Sequence, residues 1–261
     1  FKYGCKAVGK DFLALLKKIR RWFKTSQDIL QSCIERLLRN VKFSRYVFMF
    51  HVVSDNKENW YDENYSVSMK SFSIFIDAVQ QAGYEIVTTK KFLERNRRKR
   101  VLLTFDDAFA CIYEEVFPFL RERNIPFIVF QSWNLLGRKN YLDQKMINEM
   151  LRFNEFELGA HGISHEHLAD MSARLSFKEI KESKKNLEKI FHVKISGMAY
   201  PYGAKSDVKL RDMHYAKKTG YHFAFGTVST GIFSRLVNRF YLPRINVNQE
   251  NYRRIIDRCI S

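Results

Sequence analysis

Val101-Leu102-Leu103-Thr104-Phe105-Asp106-Asp107 is a five-residue apolar run closed by two adjacent carboxylates. A run this short, bounded by polar chain, predicts a strand whose end carries the acids. Working outward, Tyr46 to Val53 (YVFMFHVV) is a second run of strand character. A helical pattern follows over residues 68–83, with Ser71 as its cap and Gly83 as its stop. EIVT at 85–88 reads as a strand, and the basic stretch 90–100 (KKFLERNRRKR) as a solvated connection.

Downstream the two rhythms alternate. Helical spacing is expected at about 111–123, 143–153, 176–191 and 207–220, and strand character at 127–130, 156–160, 196–200 and 223–226. The stretch 240–247 (FYLPRINV) closes the series. Strands alternating with helices predict an α/β fold built on a parallel sheet or barrel.

The chain has 261 residues, and Lys and Arg exceed Asp and Glu by 17 charges. Residues 1–45 hold twelve basic and three acidic side chains, about half of that excess. Within residues 10–40, Phe12, Leu13, Leu16, Ile19, Trp22 and Phe23 recur at helical spacing among Lys17, Lys18, Arg20, Arg21 and Lys24. A basic amphipathic helix with a Trp fits either an anionic membrane surface or packing against the rest of the chain. Residues 1–44 are therefore set apart as a basic helical extension, and residues 45–261 as the main domain.

No zinc-finger, RNA-recognition or helix-turn-helix pattern accompanies the charge, so nucleic acid is not an expected partner. No apolar run reaches the ~18 residues that span a bilayer. The sequence starts at Phe1 rather than Met, which leaves room for an upstream signal or anchor. Cys5, Cys33, Cys111 and Cys259 are scattered without a C-x-x-C pair, as expected of buried apolar residues rather than a disulfide frame.

Three motifs sit where expected strands end. Of Asp106 and Asp107, one carboxylate can bind a metal while its neighbour serves as a base; an adjacent pair can equally cap the following helix. His161-Gly162-Ile163-Ser164-His165 carries two imidazoles four positions apart, which suits one metal if the segment makes a helical turn. Ala199-Tyr200-Pro201-Tyr202-Gly203 is a turn able to aim a backbone N–H at a substrate oxygen, or simply an ordinary turn. In a β/α barrel such strand ends gather on one face, where active sites lie.

Together and in this order, T-F-D-D, H-x-x-x-H and P-Y-G resemble the first three motifs of the polysaccharide deacetylase family, also called NodB-homology or carbohydrate esterase family four. The likeness runs from about Tyr46 to Val247. It implies a distorted (β/α) barrel of about seven strands, preceded here by the N-terminal helical extension. It implies zinc, or another divalent transition metal, on Asp107, His161 and His165, with Asp106 as catalytic base. The backbone N–H of Tyr202, beside Pro201, would bind substrate and its oxyanion. The implied activity is removal of N-acetyl groups from an amino-sugar glycan at the cell envelope or a membrane periphery, a cytoplasmic site being the other option.

Four features depart from the family pattern. Gly162 stands where a Ser or Thr usually steadies the metal loop. Ala199 stands where many members carry an Arg that orients the catalytic Asp. Leu242-Pro243-Arg244 replaces L-x-H, and an Arg cannot donate a proton near neutral pH; Arg244 is instead expected to orient Asp106 or to lie in a surface salt bridge. The D-x-x-D-W segment is absent. His51, at the end of the first strand, becomes the candidate general acid, with a core role as the alternative. The rival to an enzyme is a non-catalytic carbohydrate-binding relative that keeps the metal and docks to a membrane through its basic helices.

Overall fold

The computed structural model describes residues 45–59, 62–94, 98–230 and 238–260, so the extension expected over residues 1–44 lies outside it. Every strand pair in the main sheet is parallel. The quoted run is β5 (Arg100–Phe105), flanked by β1 (Arg45–Phe50) on one side and β6 (Phe127–Gln131) on the other. Its pairing with β1 is unbroken from Arg45↔Arg100 to Phe50↔Phe105. The order continues through β7 (Phe156–Ala160), β8 (Gly197–Ala199) and β9 (Phe223–Phe225), while β10 (Ile245–Asn246) lies outside β1. That makes seven strands along the path, with the short β4 (Glu85–Ile86) added beside β5. A small second sheet pairs β2 (Val52–Val53) with β3 (Ser66–Val67).

One segment ties the two ends of the curl together. Leu242 bridges Phe225 of β9, and its N–H donates to the Ala224 carbonyl at 2.9 Å. Three residues on, Ile245 pairs with Phe48 of β1, and Val247 N–H donates to Met49 O at 2.9 Å. The expected seven-stranded distorted barrel is therefore the observed fold.

All six residues of β5 are buried, as strands covered on both faces must be. On the outer face, Phe48 and Phe50 of β1 meet Phe75 and Phe72 of helix α1 (Met69–Gln81) edge to face, at 4.9 and 5.0 Å between ring centroids. Such pairs add to the area they bury. The buried cluster of Val47, Leu102, Ile128, Phe130, Ala199, Phe223 and Phe225 forms the core between strands.

The helices follow the sequence pattern with local shifts. The cap of α1 is Ser68, whose Oγ accepts from Ser71 N–H at 3.1 Å, and Ser71 itself is buried one turn later. Part of the expected basic connection is a short helix, α2 (Thr89–Leu93), because Phe92 buries completely and holds the turn against the sheet. The stretch after the carboxylates opens as a π-helix, Ile112–Val116, before α3 (Phe117–Glu122). Helix α4 (Gln144–Met150) is capped by Asp143. The long helix α5 (Ala173–Phe191) starts behind Ser172, α6 (Leu210–Lys218) follows β8, and α7 (Tyr252–Ile255), continued by a π turn over Ile256–Ile260, lies beyond the last expected strand. Among the described residues no helix is long and apolar enough to cross a membrane. Cys111 is free and buried, and burial pushes its thiol up to about 12, which makes it inert; Cys259 is also free.

Close packing leaves no room at Gly197, where an added methyl would run into the buried Phe223 ring. Gly197→Ala should therefore lower the unfolding free energy by about 1–3 kcal/mol, read as a lower urea midpoint.

Candidate active site

The C-terminal ends of β1, β5, β7 and β8 deliver His51, Asp106 and Asp107, His161, and the Tyr200–Gly203 turn. Asp106 N–H still donates to Phe50 O at 2.9 Å, so the ladder holds the first carboxylate in strand geometry. The chain then turns sharply: Asp107 and Ala108 have φ of +65° and +59°. This left-handed step lets two adjacent carboxylates both approach His161 Nε2, at 3.9 and 3.4 Å, rather than point to opposite faces of a strand. Non-glycine residues adopt it at a cost, which is common where a site demands it.

Asp107, His161 and His165 come together. Asp107 Oδ1 lies 3.4 Å from His161 Nε2 and 2.8 Å from His165 Nε2. The three candidate ligand atoms all fall within 4.8 Å of one another. The helical turn named as the condition for that spacing is not formed. Residues 161–167 are irregular, and left-handed φ values of +75° at Gly162 and +60° at His165 fold the loop back so that the rings meet at 5.0 Å. His161 is buried, and its Nδ1 sits 2.8 Å from the Ala199 carbonyl. A donor at Nδ1 leaves the Nε2 lone pair directed at Asp107, the tautomer a metal ligand requires.

The fit of a cation can be judged from Asp107 itself. Its Oδ1 is buried and has no hydrogen-bond partner, although two imidazole nitrogens stand beside it. Buried acceptors are rarely left unpaired. Burial opposes ionisation of Asp107, yet contacts with His161 and His165 hold its pKa well below the ordinary value. One carboxylate and two imidazoles match a divalent transition metal with positions left open for water and substrate.

Asp106 is held differently. Arg244, fully buried, grips it with two parallel bonds, Nη1 to Oδ1 at 2.6 Å and Nη2 to Oδ2 at 2.7 Å. Arg244 Nε donates to Gly226 O at 3.0 Å and Nη1 also to Thr104 Oγ1 at 3.3 Å. Its guanidinium lies 5.6 Å from the centroids of both Phe130 and Phe225. The surface salt bridge considered for this residue is excluded by its burial. Burial raises the Asp106 pKa, but Arg244 and then His161 outweigh it and keep the group below its ordinary value, ionised. Ala199 is buried against His161 and carries no charge, so the cation for Asp106 comes from the barrel-closing segment.

His51 lies half-buried beside the site, its ring edge on Tyr65 at 4.7 Å and its Nδ1 buried without a hydrogen bond. Burial lowers its pKa, against an opposing pull from Asp107 and Asp106. Tyr202 is half-exposed at φ +60°. Its ring stacks on His167 at 3.7 Å and 7°, and His167 Nδ1 is 3.1 Å from Asp207 Oδ1. Pro201 is buried and packs towards Gly162. Glu179 on α5 and the His167–Asp207 pair were not marked by any motif. Glu179 lies three positions after Ser176 on α5, whose burial only the structure shows, so no sequence signal set it apart from the solvated acids of that helix.

This arrangement of carboxylates, imidazoles and a glycine turn at a barrel mouth is found with a matching sequence model. The family model for polysaccharide deacetylase matches residues 94–224. The chain belongs to the polysaccharide deacetylase family. It is 28% identical over 214 residues to a poly-beta-1,6-N-acetyl-D-glucosamine N-deacetylase of Staphylococcus aureus (strain MSSA476), covering 75% of this chain and 72% of that protein. Among solved structures it is similar to the Streptococcus pyogenes deacetylase PplD in complex with acetate, with a TM-score of 0.71, 21% identity and coverage of 85% of this chain and 99% of that one. IcaB from Ammonifex degensii gives a TM-score of 0.72 at 22% identity, covering 83% and 97%. Both likenesses establish the fold.

The buried pair makes a stability prediction. Arg244→Met leaves Asp106 buried without its counter-charge and should cost about 3–5 kcal/mol in urea unfolding. The double variant Asp106→Leu/Arg244→Met should recover most of that loss.

Proposed function

We propose that this chain is a metal-dependent hydrolase that removes N-acetyl groups from an acetylated amino-sugar glycan, a polymer of the poly-N-acetylglucosamine kind being the first to test. The observation that carries the reading is the pairing of two unlike carboxylates. Asp107 Oδ1 is unsatisfied between two imidazoles, while next door Asp106 is gripped by a guanidinium 138 positions further along the chain. One acid is left open to a metal ion and the other is held ionised by Arg244.

Asp107, His161 and His165 would hold the ion. Bound there, a divalent cation supplies Lewis acidity towards the amide carbonyl and lowers the pKa of nearby water towards about 7. Asp106 accepts the proton of the attacking water, its orientation fixed by Arg244 so that no rotation is needed at the moment of transfer. The Tyr202 N–H steadies the negative oxygen of the tetrahedral species, an effect of about 2.7–4 kcal/mol for a donor of this kind. His51 is the proposed donor to the departing amine, and its low pKa makes that step dependent on the two carboxylates that face it. Acetate and the free amino sugar are the products. Similarity to the Staphylococcus aureus enzyme supports this substrate class.

The division at residues 44 and 45, docking of residues 10–40 on anionic lipid, and a place at the cell envelope rest on sequence charge and spacing. Sedimentation with phosphatidylserine vesicles should fall when residues 1–40 are deleted.

Asp106→Asn should bind zinc as tightly as the parent and lose at least about 100-fold in acetate release from an acetylated oligosaccharide. His161→Ala should lose zinc and turnover together. Near-normal turnover in Asp106→Asn would remove Asp106 as the base, whereas a parent chain that releases no acetate would favour a binding protein over an enzyme. His51→Asn should reduce turnover by about 10²–10⁴ if it is the proton donor, with zinc content unchanged.

A further inference from the structure

Only three residues separate the two histidines, so the conformation of Gly162-Ile163-Ser164 sets where His165 stands relative to His161. Four backbone groups of that span are held. The Gly162 carbonyl accepts from Trp133 N–H at 3.1 Å, and the Ile163 carbonyl from Asn134 N–H at 2.9 Å and Ser132 Oγ at 3.0 Å. On the other side, a single carboxylate oxygen, Glu179 Oε2, accepts from both Ile163 N–H at 2.7 Å and Ser164 N–H at 3.0 Å. Bonds to a charged acceptor are shorter and stronger than neutral ones, and two successive amide N–H groups converging on one oxygen form an anion-binding nest.

No hydroxyl of the span itself takes part. Position 162 is glycine, at a φ of +75° where a β-branched residue would be strained. A Cβ there would come within 3.3 Å of Pro201 Cγ and 3.4 Å of Glu179 Oε2, so Gly162 and Glu179 share one space. The only hydroxyl in the span, Ser164 Oγ, is buried and bonds to nothing. We infer that Glu179 is the positioning residue for the His161–His165 pair: its carboxylate, reaching from α5, presets the ligand loop.

This inference rests on the metal reading above, and the experiment separates the two. Zinc affinity of the full chain is measured by competition with a chromophoric chelator. Glu179→Met keeps the bulk and removes the acceptor; it should bind zinc about 10–100-fold more weakly than the parent, the usual effect of losing a partner behind the ligands. Glu179→Gln retains a carbonyl oxygen able to accept both N–H bonds, though without the charge, and should bind zinc more tightly than Glu179→Met and close to the parent. Parent-like affinity in a folded Glu179→Met protein overturns the role of Glu179 and leaves the metal site standing. If Glu179→Met fails to fold, Glu179→Gln decides: a loss of affinity with the circular dichroism spectrum unchanged overturns the hydrogen-bonding role. A parent chain that takes up no zinc overturns the metal reading, and this inference with it.

Discussion

The bidentate pair between Arg244 and Asp106 is the constraint on which the site depends. Two charges without solvent cost far more than they return unless their geometry is good and their remaining hydrogen bonds are made. Here both carboxylate oxygens are engaged, and the guanidinium also serves Gly226 O and Thr104 Oγ1 between two aromatic rings. The pair bridges the middle of the sheet and its closing segment. It fixes Asp106, while the left-handed turn that follows brings the neighbouring carboxylate to the imidazoles. Closing the barrel and charging the site are thus one event.

The candidate site residues were legible because their chemistry sits at the ends of apolar strands. Asp106, Asp107 and His161 follow runs whose period and length mark them as strands, and a barrel brings such ends to one mouth. The β7 boundaries, Phe156–Ala160, fell where the sequence placed them. Arg244 was half legible: the departure from L-x-H marked the position, but burial decides between a positioning and a surface role, and burial of an Arg leaves no trace in local pattern.

What stayed hidden depends on contacts between distant segments. Two imidazoles at i and i+4 invite a helical turn, yet a glycine and a strained histidine produce the same convergence without one. Phe92 turned a basic connection into a helix because tertiary packing outweighed local polarity. The terminal helix α7 and its π turn lay past the last recognised strand, and no motif called for them. Glu179 looks like any solvated acid on an amphipathic helix until the loop it faces is known.

The closing segment also has a temporal consequence. Leu242 and Ile245 pair with strands formed from much earlier chain, and Arg244 reaches back 138 positions. Contacts so distant along the polymer form late, since the loop entropy must be overcome first. During synthesis, therefore, most of the sheet can assemble while its central acid still lacks a counterion. A product cut short before the last thirty or so residues would carry Asp107, His161 and His165 yet keep an open seam and an exposed edge, a species prone to sticking to its own kind and to proteolysis.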